Sequence, residues 1–134
     1  ADGLAQGAYV LADSENPEVI LIATGSEVSL ALAAHDKLVA QGVASRVVSM
    51  PSWYRYEKQD AAYKESVLPK GVKARLAIEM AGEIGWDRYV GLDGRTITMS
   101  TFGASAPIAK LQDKFGFTVD NVVKVATEML GEAA

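Results

Sequence analysis

His35 is the only histidine in the 134 residues, and there is no cysteine. Those two counts bound the chemistry first. Without thiols there is no disulfide framework, no thiolate nucleophile and no thiolate metal site. A single imidazole also leaves a zinc site short of ligands. Any serine–histidine–acid scheme has to run through His35. Yet His35 falls mid-helix in "EVSLALAAHDKL", on or beside the apolar stripe, where a general base would point into the core. Asp36, its neighbour, faces another direction on the same helix. The pattern predicts a structural histidine, packed or half-exposed.

Three other stretches carry residue types that do chemistry elsewhere. "TFGASAP" (Thr101 to Pro107) places Ser105 two residues after Gly103, but Pro107 stands where a nucleophile elbow needs its second glycine. A turn leading into a helix, with Pro107 near its start, accounts for it better. "ILIATGSEV" ends an apolar run at a glycine and opens a helix. A dinucleotide fingerprint needs three glycines, and only Gly25 is present; a phosphate loop needs a lysine that is missing. Backbone N–H groups around Gly25 and Ser26 still form a candidate anion site. Ser26 is better placed to cap the helix. Glu27, in the first turn, suits the helix dipole and would repel a phosphate. Glu79 ends "ARLAI" at the carboxyl end of a predicted parallel strand, the edge where ligands of open α/β sheets sit. An ion pair, a helix cap, an interface role and a ligand contact all suit it. Trp53, Trp86 and Tyr89 are candidate interface anchors, and core packing suits them as well. The residues make no complete catalytic set, cofactor site or metal site.

The elements that must position these side chains alternate. "AYVLAD" reads as an edge strand, and "EVILIATG" as a strand buried on both faces. A helix follows from Ser26 and ends at Gly42. "ASRVVSM" is a strand stopped by Pro51. "YEKQDAAYKESVLP" is one short helix or two, and "VKARLAIEM" is a third strong strand. "GEIGWDRYVG" has room for one helical turn, and "RTITMSTFG" is a strand. "PIAKLQDKFG" and "TVDNVVKVATEMLG" are helices, the last capped by Thr118 and ended by Gly131. Strands alternating with helices predict an α/β sheet, mainly parallel, covered on both faces.

Composition narrows the partners. The formal charge is −4, with lysines and arginines scattered, so no basic nucleic-acid footprint exists. No apolar run approaches the ~20 residues of a membrane span, and the first residues do not form a signal peptide. The expectation is one domain in the cytoplasm, with no nucleic-acid or membrane partner. Starting at Ala1 rather than methionine, the chain reads as a processed or excised piece of something longer.

"GAYVL", "ILIATGSEVSLA", "RVVSMPS", "QDAAYKESVLP", "IEM", "GWDRYVGLDG", "TFGASAP" and "FGFTVDNVV", in that order, resemble the C-terminal domain of transketolase. The resemblance covers about Gly7 to Leu130. It implies a three-layer α/β domain: a five-stranded, mostly parallel mixed sheet with one antiparallel strand and helices on both faces. It also implies that residues 1–6 are a remnant of an interdomain linker and residues 7–134 the domain.

Transketolase moves a two-carbon ketol unit from a ketose phosphate to an aldose phosphate, using thiamine diphosphate and magnesium (or calcium) held between its other two domains across a homodimer, in the pentose phosphate pathway. The resemblance therefore implies a non-catalytic domain. Its partners would be the other transketolase domains and the homodimer partner, with sugar phosphates met only in the full-length enzyme. "LDG" at Leu92 to Gly94 lacks the preceding glycine and context of the family's metal motif, and Glu79 is not the glutamate that activates the cofactor. The alternatives are an anion- or nucleotide-binding regulatory module and a protein-interaction domain.

Overall fold

The structure is a computed structural model, and it describes residues 6–25, 27–79, 87–91, 93–98 and 118–133. The elements run β1 (Tyr9–Ala12), β2 (Val19–Ala23), α1 (Glu27–Ala40), β3 (Ser45–Ser49), α2 (Trp53–Glu57), α3 (Ala61–Val67), β4 (Ala74–Glu79), α4 (Asp87–Val90), β5 (Arg95–Thr98) and α5 (Val119–Ala133). The strands form one five-stranded sheet in the order β1-β3-β2-β4-β5. Strand β1 lies antiparallel to β3, and the remaining pairs are parallel. The expected mixed α/β sheet is present.

Strand β2 occupies the centre, and its five residues are all fully buried. Alternation sends Val19, Leu21 and Ala23 to one face and Ile20 and Ile22 to the other. On the first face they meet Ala31, Ala34 and Leu38 of α1 and Val122, Ala126 and Met129 of α5. On the second they meet Tyr56 of α2, Val67 of α3, and Tyr89 and Val90 of α4. A strand without a polar face needs a cover on both sides, and these two helix layers supply it.

Local chemistry fixes the ends. Helix α1 closes in a Schellman motif: Val43 N–H donates to Leu38 O (2.9 Å) and Gly42 N–H to Val39 O (3.0 Å), with Gly42 at φ +83°. Inside α1, His35 is buried and its Nδ1 lies 2.6 Å from Ser45 Oγ on β3. It is the structural histidine expected from its place in the helix, and of the two forms expected it takes the packed one. Thr118 Oγ1 accepts from Asn121 N–H at the start of α5. That helix does not stop at Gly131; it runs on to Ala133. Gly131 lacks the positive φ of a terminating glycine, so it sits inside the helix, at about 1 kcal/mol relative to alanine.

Helix α2 also begins earlier than the sequence pattern suggested, at Trp53, because Ser52 caps it by accepting from Arg55 N–H. Gly7 packs against this cap. Its carbonyl accepts from Ser52 N–H (3.0 Å), its φ is +85°, and a Cβ there would lie 2.3 Å from both Ser52 O and Tyr56 N. Only glycine fits. The expected helix over "PIAKLQDKFG" and the "TFGASAP" turn lie outside the described residues.

Arg46, on β3, closes the same side of the sheet. Its Nε and Nη2 grip the two oxygens of Asp13 at 2.9 and 3.1 Å, and its Nη1 donates to the carbonyls of Ser66 and Val67 at the end of α3. Burial works to raise the Asp13 pKa. The Arg46 guanidinium and the Ser14 N–H outweigh it and hold the carboxyl below its ordinary 3.8. A carboxylate held low adds stability that is complete above the unfolded-state value and is lost as pH falls through the lower, folded one. Urea unfolding should therefore show a stability contribution that fades below about pH 4 and is missing in Asp13→Asn. Because Asp13 is well exposed, that contribution is at most about 1 kcal/mol. An unchanged acid slope in Asp13→Asn would refute the pairing.

Candidate functional site

Two regions qualify on geometry: the carboxyl end of the parallel strands, and a groove over the second helix layer. At the first, β2 runs through Thr24 and Gly25 into α1, with Glu27 N–H donating to Thr24 O (3.2 Å) and Val28 N–H to Gly25 O (3.3 Å). Met50 N–H donates to Ala23 O (2.9 Å), which ties the end of β3 to the end of β2. Gly25 is exposed at this turn. The Glu27 side chain folds back beside it: Oε2 lies 3.9 Å from the position a Gly25 Cβ would take, and Glu27 is 7% exposed. The Glu27 side chain thus lies against the turn rather than out in solvent. Ser26 lies outside the described residues. Glu79 ends β4, paired with Thr98 of β5, so it stands at the predicted edge of the sheet. The structure describes nothing of its side chain.

Of the candidate aromatic residues, Trp53 and Tyr89 are described, and they pack on each other. Tyr89 is 2% exposed, with its ring 5.6 Å from Trp53 and 5.8 Å, edge-on, from Tyr56. Its hydroxyl donates to Glu57 Oε1 (3.0 Å). Tyr89 therefore lies inside the second core layer, and little of its ring is left for a partner to touch. Trp53 is half-buried on top of it. Trp86 lies outside the described residues. Tyr63 completes the cluster by donating to Ala8 O (2.6 Å). Burial pushes the Tyr56 phenol up to about 12 and raises Tyr63 as well, so both remain neutral donors at physiological pH.

Beside this cluster opens a groove of about 740 Å³, lined among others by Tyr56, Glu57, Lys64, Glu65, Arg75 and Tyr89. A smaller hollow of about 330 Å³ shares Lys70 and Arg75 with it and continues to Asp93. The groove's charges hold one another. Glu57 meets both Lys64 (3.4 Å) and Tyr89, and Glu65 accepts from the backbone N–H of Lys70.

Arg75 is the organising residue. Its guanidinium donates to four carbonyls: Val72 O (3.0 Å), Tyr89 O (2.9 Å), Leu68 O (3.2 Å) and Pro69 O (2.8 Å). Burial lowers its pKa, with Tyr56 and Glu65 opposing the shift. Five donors in a rigid fork suit this arrangement, and an ammonium does not. The sequence reading passed over Arg75. The signal was a lone cation in the otherwise apolar run "ARLAI", since a charge at such a position is rarely buried unless it is satisfied.

No buried side-chain nitrogen or oxygen among the described residues is left without a partner. No group of three histidine, cysteine, aspartate or glutamate side chains among them is placed to hold a metal ion. Among the described residues, the polar side chains of the groove that are buried are engaged within the fold.

Comparison with known proteins places this arrangement. The family described as "Transketolase-like TK C-terminal domain" matches residues 7–118. Transketolase 1 of Escherichia coli (strain K12) is 59% identical over 128 residues, which is 95% of this chain and 19% of that protein. The structure of transketolase from Leishmania mexicana superposes with a TM-score of 0.90 at 37% identity, over 98% of this chain and 19% of that one. A transketolase from Pichia stipitis, solved in complex with sedoheptulose 7-phosphate, gives 0.88 at 35% identity, over 97% of this chain and 19% of that one. The chain thus spans about one fifth of the length of the relatives it matches.

Arg75→Lys should keep the charge and lose the fork, leaving carbonyls of Leu68, Pro69 or Tyr89 without a donor. The expected cost is about 1–3 kcal/mol in urea unfolding at pH 7. An unchanged midpoint would show that water replaces the guanidinium without loss.

Proposed function

Because the chain belongs to the transketolase-like C-terminal domain family, we propose that it is the non-catalytic C-terminal domain of a transketolase. The observation that carries the proposal is the match over residues 7–118, combined with relatives about five times longer that carry the name transketolase. In this reading residues 1–6 belong to the linker from a preceding domain, and residues 7–134 are the domain. The complete enzyme transfers a two-carbon ketol unit from ketose to aldose phosphates with thiamine diphosphate and magnesium or calcium. It works in the cytoplasm as a homodimer, within the pentose phosphate pathway. The sugar phosphate named with the Pichia stipitis structure is a substrate class consistent with this reaction.

The cofactor and its metal do not fit the described residues of this chain. A diphosphate with a divalent ion needs clustered oxygen ligands, and the described residues offer no such group. The proposal places the transfer chemistry in the portions of the enzyme outside this chain. The family match over residues 7–118 favours this reading over an anion- or nucleotide-binding regulatory module at Gly25 and Ser26.

What this chain contributes is a rigid lobe. Its helix layers cover a two-faced sheet, and its arginines fasten loops to strands. The test is direct. The isolated chain, supplied with thiamine diphosphate, Mg²⁺, a ketose phosphate and an aldose phosphate, should give no ketol transfer above background, and titration calorimetry with thiamine diphosphate should show no heat. Turnover by the isolated chain would overturn the assignment.

A further inference from the structure

Two exposed lysines, Lys70 and Lys73, line the hollow of about 330 Å³ that adjoins the groove. Among the described residues, neither ammonium group has a hydrogen bond or an ion pair. Lys37, Lys64, Arg46 and Arg95 differ, since each meets a carboxylate. Arg75 lines the same hollow. Its guanidinium is bonded to carbonyls rather than to a carboxylate, so no direct partner neutralises its charge. Against these three cations the lining sets one carboxylate, Asp93. Glu65 has both oxygens on the Lys70 backbone N–H, and Glu57 is held by Lys64 and Tyr89. On a chain whose formal charge is −4, this is a local excess of positive charge, and it draws anions.

The lysines also extend from a loop that is already fixed. Arg75 takes the carbonyls of Leu68, Pro69 and Val72. Val72 N–H donates to Pro69 O (3.1 Å), and Lys70 N–H donates to Glu65 Oε2 (3.0 Å). Little of this backbone is left to order when a ligand arrives, which removes a usual cost of binding. Val72 and the buried Val90 give the hollow apolar walls.

We propose that this hollow binds the phosphoryl group of a small molecule, with Lys70 and Lys73 as the charged contacts and the Arg75 guanidinium as fixed positive charge beside them. The inference stands on the charges of the hollow and does not depend on the transketolase reading. Lysine meets phosphate as a point charge with rotatable donors. A phosphoryl dianion is attracted to the pair about twice as strongly as a carboxylate. A volume of about 330 Å³ lies at the lower end for small-molecule sites, which suits inorganic phosphate or a short phosphate ester. Both sources present the same group. Because both ammonium groups are exposed, binding is weak and falls with added salt.

The test is amine footprinting on the full polypeptide that carries these residues, at low ionic strength. Acetylation by an N-hydroxysuccinimide ester is followed lysine by lysine with mass spectrometry. The probes are inorganic phosphate and glycerol 3-phosphate, and potassium chloride at the same ionic strength is the blank. Acetylation of Lys70 and Lys73 should slow by roughly threefold or more at about 10 mM probe, the protection given by a ligand at twice its Kd. The exposed Lys58 and Lys124 should keep their rates. Stronger protection by glycerol 3-phosphate would mark a phosphate ester as the ligand. Protection as strong or stronger with inorganic phosphate would mark the free ion, and either result supports the proposal. In Lys70→Gln the protection of Lys73 should vanish, and in Lys73→Gln that of Lys70; substitutions at positions this exposed leave the core undisturbed. Equal slowing at Lys58 and Lys124, or protection that survives in both single variants, would reduce the effect to unselective charge screening and overturn the proposal. No protection would overturn it too. So would a Lys70 and Lys73 that fail to react even without probe, since the hollow would then be closed to ligands.

Discussion

Everything in this fold answers to the burial of β2 on both faces. Val19 to Ala23 have no exposure at all, and each Ile, Leu or Val so buried stabilises by roughly 1.5–3 kcal/mol relative to the exposed side chain. The strand has no polar side to give to water. It must be flanked by partners that complete its hydrogen bonds, and β3 and β4 do so in parallel register. It must also be covered above and below, which explains why α1 and α5 lie on one face and α2, α3 and α4 on the other. The few buried polar side chains near this sheet are held within it, as His35 is by Ser45.

The second constraint follows from the first. Loops that close two helix layers over one sheet bring backbone carbonyls together where water is partly excluded. An unmatched carbonyl there costs about as much as a lost hydrogen bond. Arg46 and Arg75 answer that need at two points, each by spreading one guanidinium over several oxygens. This is why several charges that line the groove beside Tyr56 and Tyr89 are held by neighbouring residues. It also links structure to role: a domain whose polar groups hold its own loops is suited to being a stable support.

How much of this was legible in the sequence depends on which interaction set each feature. The apolar runs of β2, β3 and β4 and the 3.6-residue spacing of α1 are local patterns, and they gave the element order and the sheet class. The place of His35 was readable for the same reason. The start of α2 was not, because Ser52 follows a strand-ending proline and its capping role depends on the turn around Gly7. The environment of Tyr89 was not settled either: an aromatic three residues from another reads equally as surface or core until the Trp53 and Tyr56 rings are in place. The partners of Arg75 are carbonyls at positions 68, 69, 72 and 89, and no side-chain pattern announces a backbone oxygen. The candidate anion site at Gly25 was readable as a turn. The fold-back of the Glu27 carboxylate toward it is a tertiary outcome.

The central claim is that this chain is a self-sufficient lobe organised around β2. Native-state amide hydrogen exchange on the isolated chain tests it most directly. The account predicts that the amides of Leu21 and Ile22 exchange only through global unfolding, at rates that track the stability measured with denaturant, while those of the short α2 exchange by local opening at least about tenfold faster. If the β2 amides exchanged as fast as those of α2, the sheet would need the rest of the enzyme to hold together, and the account would be wrong.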